Sequence, residues 1–124
     1  MMEKYLKETY GVIIYQEQLM LLSQEIANFT PEESDLLARA VCHHRRTQSN
    51  PALKEKFIRG GMENGYTEEF LENIWRDWMR CGNYLFNKSH AVCYTWLAYK
   101  TAYLKAHYPE EFMQAYFTIN DNAI

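Results

Sequence analysis

Four polar residues in succession, Asn87-Lys88-Ser89-His90, stand directly in front of a long aromatic stretch that runs to His107. An amide, an ammonium, a hydroxyl and an imidazole at a helix start are a set of donors suited to an anion. The helix N-terminus adds free backbone N–H groups and a partial positive charge. Between Cys81 and Pro109 there is no acidic residue, so nothing along the chain repels an anion there. A second basic segment runs from Ala38 to Gly60, where Arg39, Arg45, Arg46, Lys54, Lys56 and Arg59 face one acid, Glu55. Those six side chains supply further positive charge and are candidates for anion contacts. A plainer reading stays open beside this one. Ser89 or Asn87 caps the helix, Lys88 is solvated, His90 satisfies a core hydrogen bond, and the basic run after Cys42 is a solvated loop.

Other chemistries find less support. The metal-ligating types are Cys42, His43, His44, Cys81, His90, Cys93 and His107. Adjacent Cys-His-His suits one tetrahedral ion poorly, and no CxxC or HxxxH spacing occurs. Ser89 and His90 are neighbours, which on a helix point about 100° apart and form no nucleophile–base pair. Phosphate-binding glycine loops and nucleophile elbows are missing from the sequence. Two-metal phosphoryl transfer needs converging carboxylates, yet Asp35, Asp77 and Asp121 are each isolated. The glutamate pairs 32/33, 68/69 and 110/111 fall in first helical turns, where they complement the helix dipole. These residues predict no catalyst in this chain alone, and no metal or cofactor bound by it alone.

The elements that must position these side chains read as helices. Tyr15, Leu19, Leu22 and Ile26 recur at helical spacing up to about Asn28, with Gln16, Glu17 and Gln18 off that face. Before them, "VIIYQEQ" is β-branched and starts extended, and Met2–Tyr10 is polar and charged. Thr30, Pro31 and Glu33 make a capping box for a helix to about Cys42, with Leu37, Ala40 and Val41 inward. The stretch Cys42–Ser49 reads as a loop, or as a continuation of the helix that a partner orders. Pro51 opens a short helix over Pro51–Arg59 with Leu53 and Phe57 inward, which Gly60-Gly61 and the "ENGY" turn stop. Thr67 caps a helix ending at Gly82, with Phe70, Leu71, Ile74, Trp75, Trp78 and Met79 as its buried face. The next helix runs to about His107 with the stripe Val92, Trp96, Tyr99, Tyr103 and Ala106. Its first half is apolar nearly all round, which predicts an interior position. Pro109 begins a last helix with Phe112, Met113, Tyr116 and Phe117 inward, and the tail from about 120 frays. The expectation is an all-α fold, one compact helical domain over residues 1–124 with five to six helices.

The chain's 124 residues suffice for one core, and the apolar fraction of 48% argues against disorder. A net charge of −3 argues against a strong nucleic-acid binder acting by overall charge. Three irregularly spaced cysteines form no disulfide framework, which indicates a reducing, cytoplasmic setting. The N-terminus lacks the apolar core of a secretory signal. No run approaches the ~18 continuous apolar residues of a membrane span, so no membrane association is expected.

Three stretches carry a specific resemblance. They are "ETYGVIIYQEQLM" (Glu8–Met20), "SDLLARAV" followed by basic residues (Ser34–Val41), and "FNKSHAVCYTWLAYKTAYLKAHYPEEFM" (Phe86–Met113). In this order and spacing the chain resembles the fingers region of the alpha subunit of bacterial DNA polymerase III, the C-family replicative polymerases. The resemblance runs from Met2 to about Asn120. It implies a helical fingers segment that helps hold the incoming nucleotide and lies against the templating DNA. It places the catalytic aspartates in a palm that precedes this segment, and the exonuclease-like domain and clamp-binding tail outside it. The implied partners are that palm, primer-template DNA and the incoming deoxynucleoside triphosphate, with Mg²⁺ acting in the full polymerase. Asn87, Lys88, Ser89 and His90 match the family's "NKSH" block beside the nucleotide site. Arg39 matches a basic position in a triphosphate-contacting "RRAMGKK"-like motif. The sequence departs from that motif at Ala38, Val41, Cys42 and His43-His44, where the family has Arg, Met, Gly and Lys-Lys. Two always-charged positions thus become histidines, with reference pKa ~6.5. Two further readings stay open: a free-standing helical scaffold for a protein partner, and a DNA-binding module using the Arg39–Arg59 surface.

Overall fold

The computed structural model describes residues 2–42, 51–81 and 85–120. The expected all-α class holds. Among the described residues there are seven α-helices: α1 (Glu3–Leu6), α2 (Gln16–Ala27), α3 (Pro31–Cys42), α4 (Pro51–Glu63), α5 (Glu68–Cys81), α6 (Lys88–His107) and α7 (Pro109–Asn120). A 3-10 turn (Lys7–Thr9) follows α1. The count exceeds five to six because the polar segment 2–10 is helical and buries Leu6 and Thr9. Tyr10 and Gly11 then take positive φ values of 53° and 87°, which turn the chain into the extended approach to α2.

The helices fall into two compact units, Met1–Lys88 and Ser89–Ile124. In the first, α2 packs on α3 and α4, and α4 on α5. The capping box opens α3: Thr30 N–H donates to Glu33 Oε2 at 3.0 Å, and Glu33 N–H donates to Thr30 Oγ1 at 3.3 Å. Phe70 N–H donates to Thr67 Oγ1 at 3.4 Å at the start of α5. The core joins Leu19, Leu22 and Ile26 to Leu37, Val41, Phe57, Leu71 and Trp78. Phe57 is its centre, with Trp78, Trp75 and Phe29 ring centroids at 4.9, 5.5 and 6.1 Å. Phe70, expected inward, is instead exposed and stacks on Tyr66 at 5.5 Å.

Gly60-Gly61 does not stop α4. Both glycines are buried within the helix. A Cβ on Gly60 would lie 2.1 Å from the Ala27 carbonyl oxygen, and one on Gly61 would lie 2.4 Å from Leu71 Cδ2. The pair serves close approach of α2 and α5 to α4. The helix runs on to Glu63, and Gly65, φ 88°, lies just beyond its end. There Gly65 N–H donates to Met62 O at 3.0 Å and Tyr66 N–H to Gly61 O at 3.1 Å, the paired bonds of a Schellman end.

In the second unit α6 and α7 are joined through Tyr108, whose N–H donates to Leu104 O at 2.8 Å. The interior position expected for the aromatic helix is not found. Val92, Trp96, Tyr99 and Tyr103 are exposed, Trp96 at 61%, as are Met113, Tyr116 and Phe117 of α7. Helical spacing identifies an apolar face but does not supply the layer that covers it, and a two-helix unit encloses nothing. The loop reading of Cys42–Ser49, the stop at Gly82 and the frayed tail lie outside the described residues, apart from Cys42, which ends α3.

Candidate functional site

The start of α2 builds the site. Tyr15 is extended (φ −103°, ψ 143°) and forms an isolated parallel bridge with Phe86. Phe86 N–H donates to Ile14 O at 3.0 Å, and Gln16 N–H donates to Phe86 O at 2.9 Å. The Gln16 amide also donates to Leu85 O at 3.2 Å. The Glu17 carboxylate accepts the backbone N–H of Lys88 on both oxygens, at 3.0 and 3.1 Å. Residues 85, 86 and 88 are therefore each tied to residues 14–17.

Beneath this ladder, Gln18 is only 4% exposed and fully bonded. Its Oε1 accepts from Ile14 N–H at 2.9 Å and Tyr15 N–H at 3.0 Å. Its Nε2 donates to Tyr5 O at 3.1 Å and Thr9 Oγ1 at 2.8 Å. Thr9 in turn donates to Val12 O at 2.6 Å. One buried amide thus binds α1, the 3-10 turn and the extended segment to α2, and four satisfied bonds offset its burial.

By spacing Gln16, Glu17 and Gln18 fall on a polar face, and in the structure all three have partners. The sequence carries a signal for this. Three long polar side chains in the first turn after an extended run are placed to meet a passing backbone, and Gln18 sits at the third helical position, where a capping side chain reaches back.

The Lys88 ammonium is hydrogen-bonded to the Glu8 carboxylate and lies 5.6 Å from the Tyr15 ring centroid. The Glu8 hydrogen bond holds Lys88 above the ordinary lysine value, partly opposed by desolvation and aided by the charges of Glu8, Tyr15 and Glu17. The acid-free stretch along the chain is therefore not acid-free in space. An open cleft beside Lys88 is lined by Lys4, Lys7, Tyr5, Glu8, Glu17 and Gln18, among others. Asn87 is exposed just before α6. Ser89 and His90 are exposed in its first turn, and the His90 ring lies 4.4 Å from that of Tyr94.

The basic segment is divided among several faces. Arg39 pairs with Asp35 one turn earlier at 2.8 Å. Lys54 pairs with Glu72 of α5 at 2.8 Å, and Lys56 pairs with Glu33 of α3. Arg59 and Lys54 line a second open cleft whose rim also holds Glu55, Glu63, Glu68 and Glu72. Acids outnumber bases there. Arg45 and Arg46, with His43 and His44, lie outside the described residues. No group of three His, Cys, Asp or Glu side chains that could hold a metal gathers among the described residues. No helix of the described residues is long and apolar enough to cross a membrane.

Residues 1–65 match the family model for the bacterial DNA polymerase III alpha subunit finger domain. The chain belongs to this family. It is 46% identical over 121 residues to DNA polymerase III subunit alpha of Aquifex aeolicus, covering 98% of this chain and 10% of the relative. The subunit of Halalkalibacterium halodurans is 45% identical over 114 residues, covering 92% and 10%, and that of Thermus aquaticus 43% over 121 residues, covering 94% and 10%. The chain spans about a tenth of the length of these relatives. The finger-domain match covers α1, α2, α3 and α4, and so includes the "YQEQ" turn that holds Lys88.

Proposed function

We propose that this finger-domain chain contributes to binding the incoming deoxynucleoside triphosphate and primer-template DNA in bacterial DNA replication, without catalysing nucleotidyl transfer alone. The observation that carries the reading is the anchoring of Lys88: its backbone is fixed through Glu17 while its ammonium sits on a flexible stem at the edge of an open cleft. A fixed base with a movable cation suits capture of a phosphate. Asn87, Ser89 and His90 supply further donors, and Arg39 supplies charge for the triphosphate. Arg45, Arg46, Lys54, Lys56 and Arg59 are the candidates for DNA phosphates, which Lys54 and Lys56 reach by leaving Glu72 and Glu33. The contribution to phosphoryl transfer is electrostatic positioning. The palm carboxylates and Mg²⁺ belong to the remainder of the polymerase, a cytoplasmic enzyme.

Calorimetric titration of the chain with a deoxynucleoside triphosphate and Mg²⁺ tests this. Weak binding is expected, reduced about tenfold in Lys88→Ala, as loss of a charge-assisted bond implies. Absence of heat in both folded chains overturns nucleotide binding. Primer extension by the chain alone overturns its non-catalytic role. A steep salt dependence of duplex binding supports the DNA contacts.

A second reading, a helical scaffold for a protein partner, is favoured by one observation: the exposed aromatic side chains of α6 and α7. It predicts a folded chain that binds no nucleotide.

A further inference from the structure

Helix α6 begins at Lys88, and its first N–H groups have no acceptor within the helix. For the Lys88 N–H the acceptor is the Glu17 carboxylate, 71 residues earlier in the chain, which takes it on both oxygens. A carboxylate at a helix N-terminus is favoured by the dipole and by charge-assisted hydrogen bonding. Glu17 sits one residue beyond Gln16, whose backbone and side chain hold Phe86 and Leu85. Anchor points at Leu85 and Phe86 therefore lead to Lys88.

We propose that Glu17 is a positioning residue for the phosphate-binding Lys88, acting from α2 as the cap of the Lys88 backbone N–H. This rests on the nucleotide-binding reading for the identity of the anion. Glu17 occupies the Lys88 N–H, so an arriving phosphate meets the Lys88 ammonium and not that backbone donor. Its own negative charge opposes an anion. Its benefit is geometric: it keeps the Lys88 backbone in place while the ammonium changes partner.

Geometry and charge predict opposite results, which makes the role testable. If Glu17 acted only through its charge, Glu17→Ala would tighten binding of a deoxynucleoside triphosphate with Mg²⁺. Positioning requires that Glu17→Ala weakens it about tenfold, while Glu17→Gln, which keeps an oxygen acceptor, restores binding to the native level or better. Hydrogen exchange of the Lys88 amide, followed by NMR, reads the cap without any nucleotide. Slow exchange is expected in the native chain, retained in Glu17→Gln, and faster by about tenfold or more in Glu17→Ala, as for loss of a hydrogen bond to a charged group. Glu17→Asp, which keeps the charge but shortens the reach, gives the same loss and serves if Glu17→Ala does not fold. Unchanged Lys88 exchange in the folded Ala or Asp variant overturns the cap. Tighter nucleotide binding by Glu17→Ala overturns the positioning role. A native chain that binds no nucleotide but shows the exchange pattern upholds the cap and overturns the nucleotide reading instead.

Discussion

Gly60 meets Ala27 backbone to backbone: a Cβ on Gly60 would stand 2.1 Å from the Ala27 carbonyl oxygen. A backbone oxygen cannot step aside as a side chain can, so Gly60→Ala must separate α2 from α4. The expected cost is about 3 kcal/mol or more, the upper range for overpacking, read from the midpoint of urea unfolding. Gly61→Ala meets the Leu71 side chain instead. Leu71 can change rotamer, so a smaller loss of about 1–2 kcal/mol is expected. Equal losses for the two variants would contradict this distinction.

Gln18→Ala removes four hydrogen bonds at once and leaves the Ile14 and Tyr15 N–H groups and the Tyr5 carbonyl without their side-chain partner. An orphaned buried polar group costs about 1–3 kcal/mol, so a loss of at least about 3 kcal/mol is expected. Gln18→Glu keeps the acceptor but loses the donor to Tyr5 O and Thr9, and is expected to fall between native and Gln18→Ala. Urea unfolding of the three chains orders them.

Glu33 gives α3 an acid-sensitive start. The Lys56 hydrogen bond first, and the Thr30 backbone N–H second, hold its carboxyl below the ordinary carboxylate range. Its folded value is thus lower than its unfolded one. The stabilisation is fully present above the ordinary value of 4.5 and is lost as pH falls through the folded value. Unfolding midpoints measured between about pH 6 and pH 3 are expected to fall less in Glu33→Gln than in the native chain.

Glu8 competes with a phosphate for the Lys88 ammonium. Glu8→Gln removes that competitor and is expected to tighten nucleotide binding roughly two- to fivefold, the scale of an exposed ion pair. Calorimetry at low and high salt checks it, and the gain should shrink as salt screens the pair. The same pair has an alkaline signature. Glu8 raises the folded value for Lys88, so its stabilisation is present below the unfolded lysine value and is lost as pH rises through the folded one. Glu8→Gln is expected to lose that alkaline step in a pH-resolved unfolding series.

Most of the helices are legible in the sequence because their signals are local. Thr30 with Glu33, Thr67, Pro51 and Pro109 mark starts by the chemistry of the first turn. Leu19, Leu22, Ile26, Leu37, Leu53 and Phe57 mark the core by spacing alone. The polar set at Asn87–His90 is likewise legible as a helix start, and the "YQEQ" and "NKSH" blocks carry the family resemblance. What escaped depends on residues far apart in the chain. Gly60-Gly61 reads as a stop until Ala27 and Leu71 press against it. Gln18 reads as solvent-facing until the backbone of residues 14 and 15 and the turn at Thr9 close over it. Lys88 reads as free of acids until the fold brings Glu17 and Glu8 to it from 71 and 80 residues away. Local spacing determines which side chains share a helix face. Only packing between helices decides which backbone may approach closely, and which carboxylates stand beside which cation.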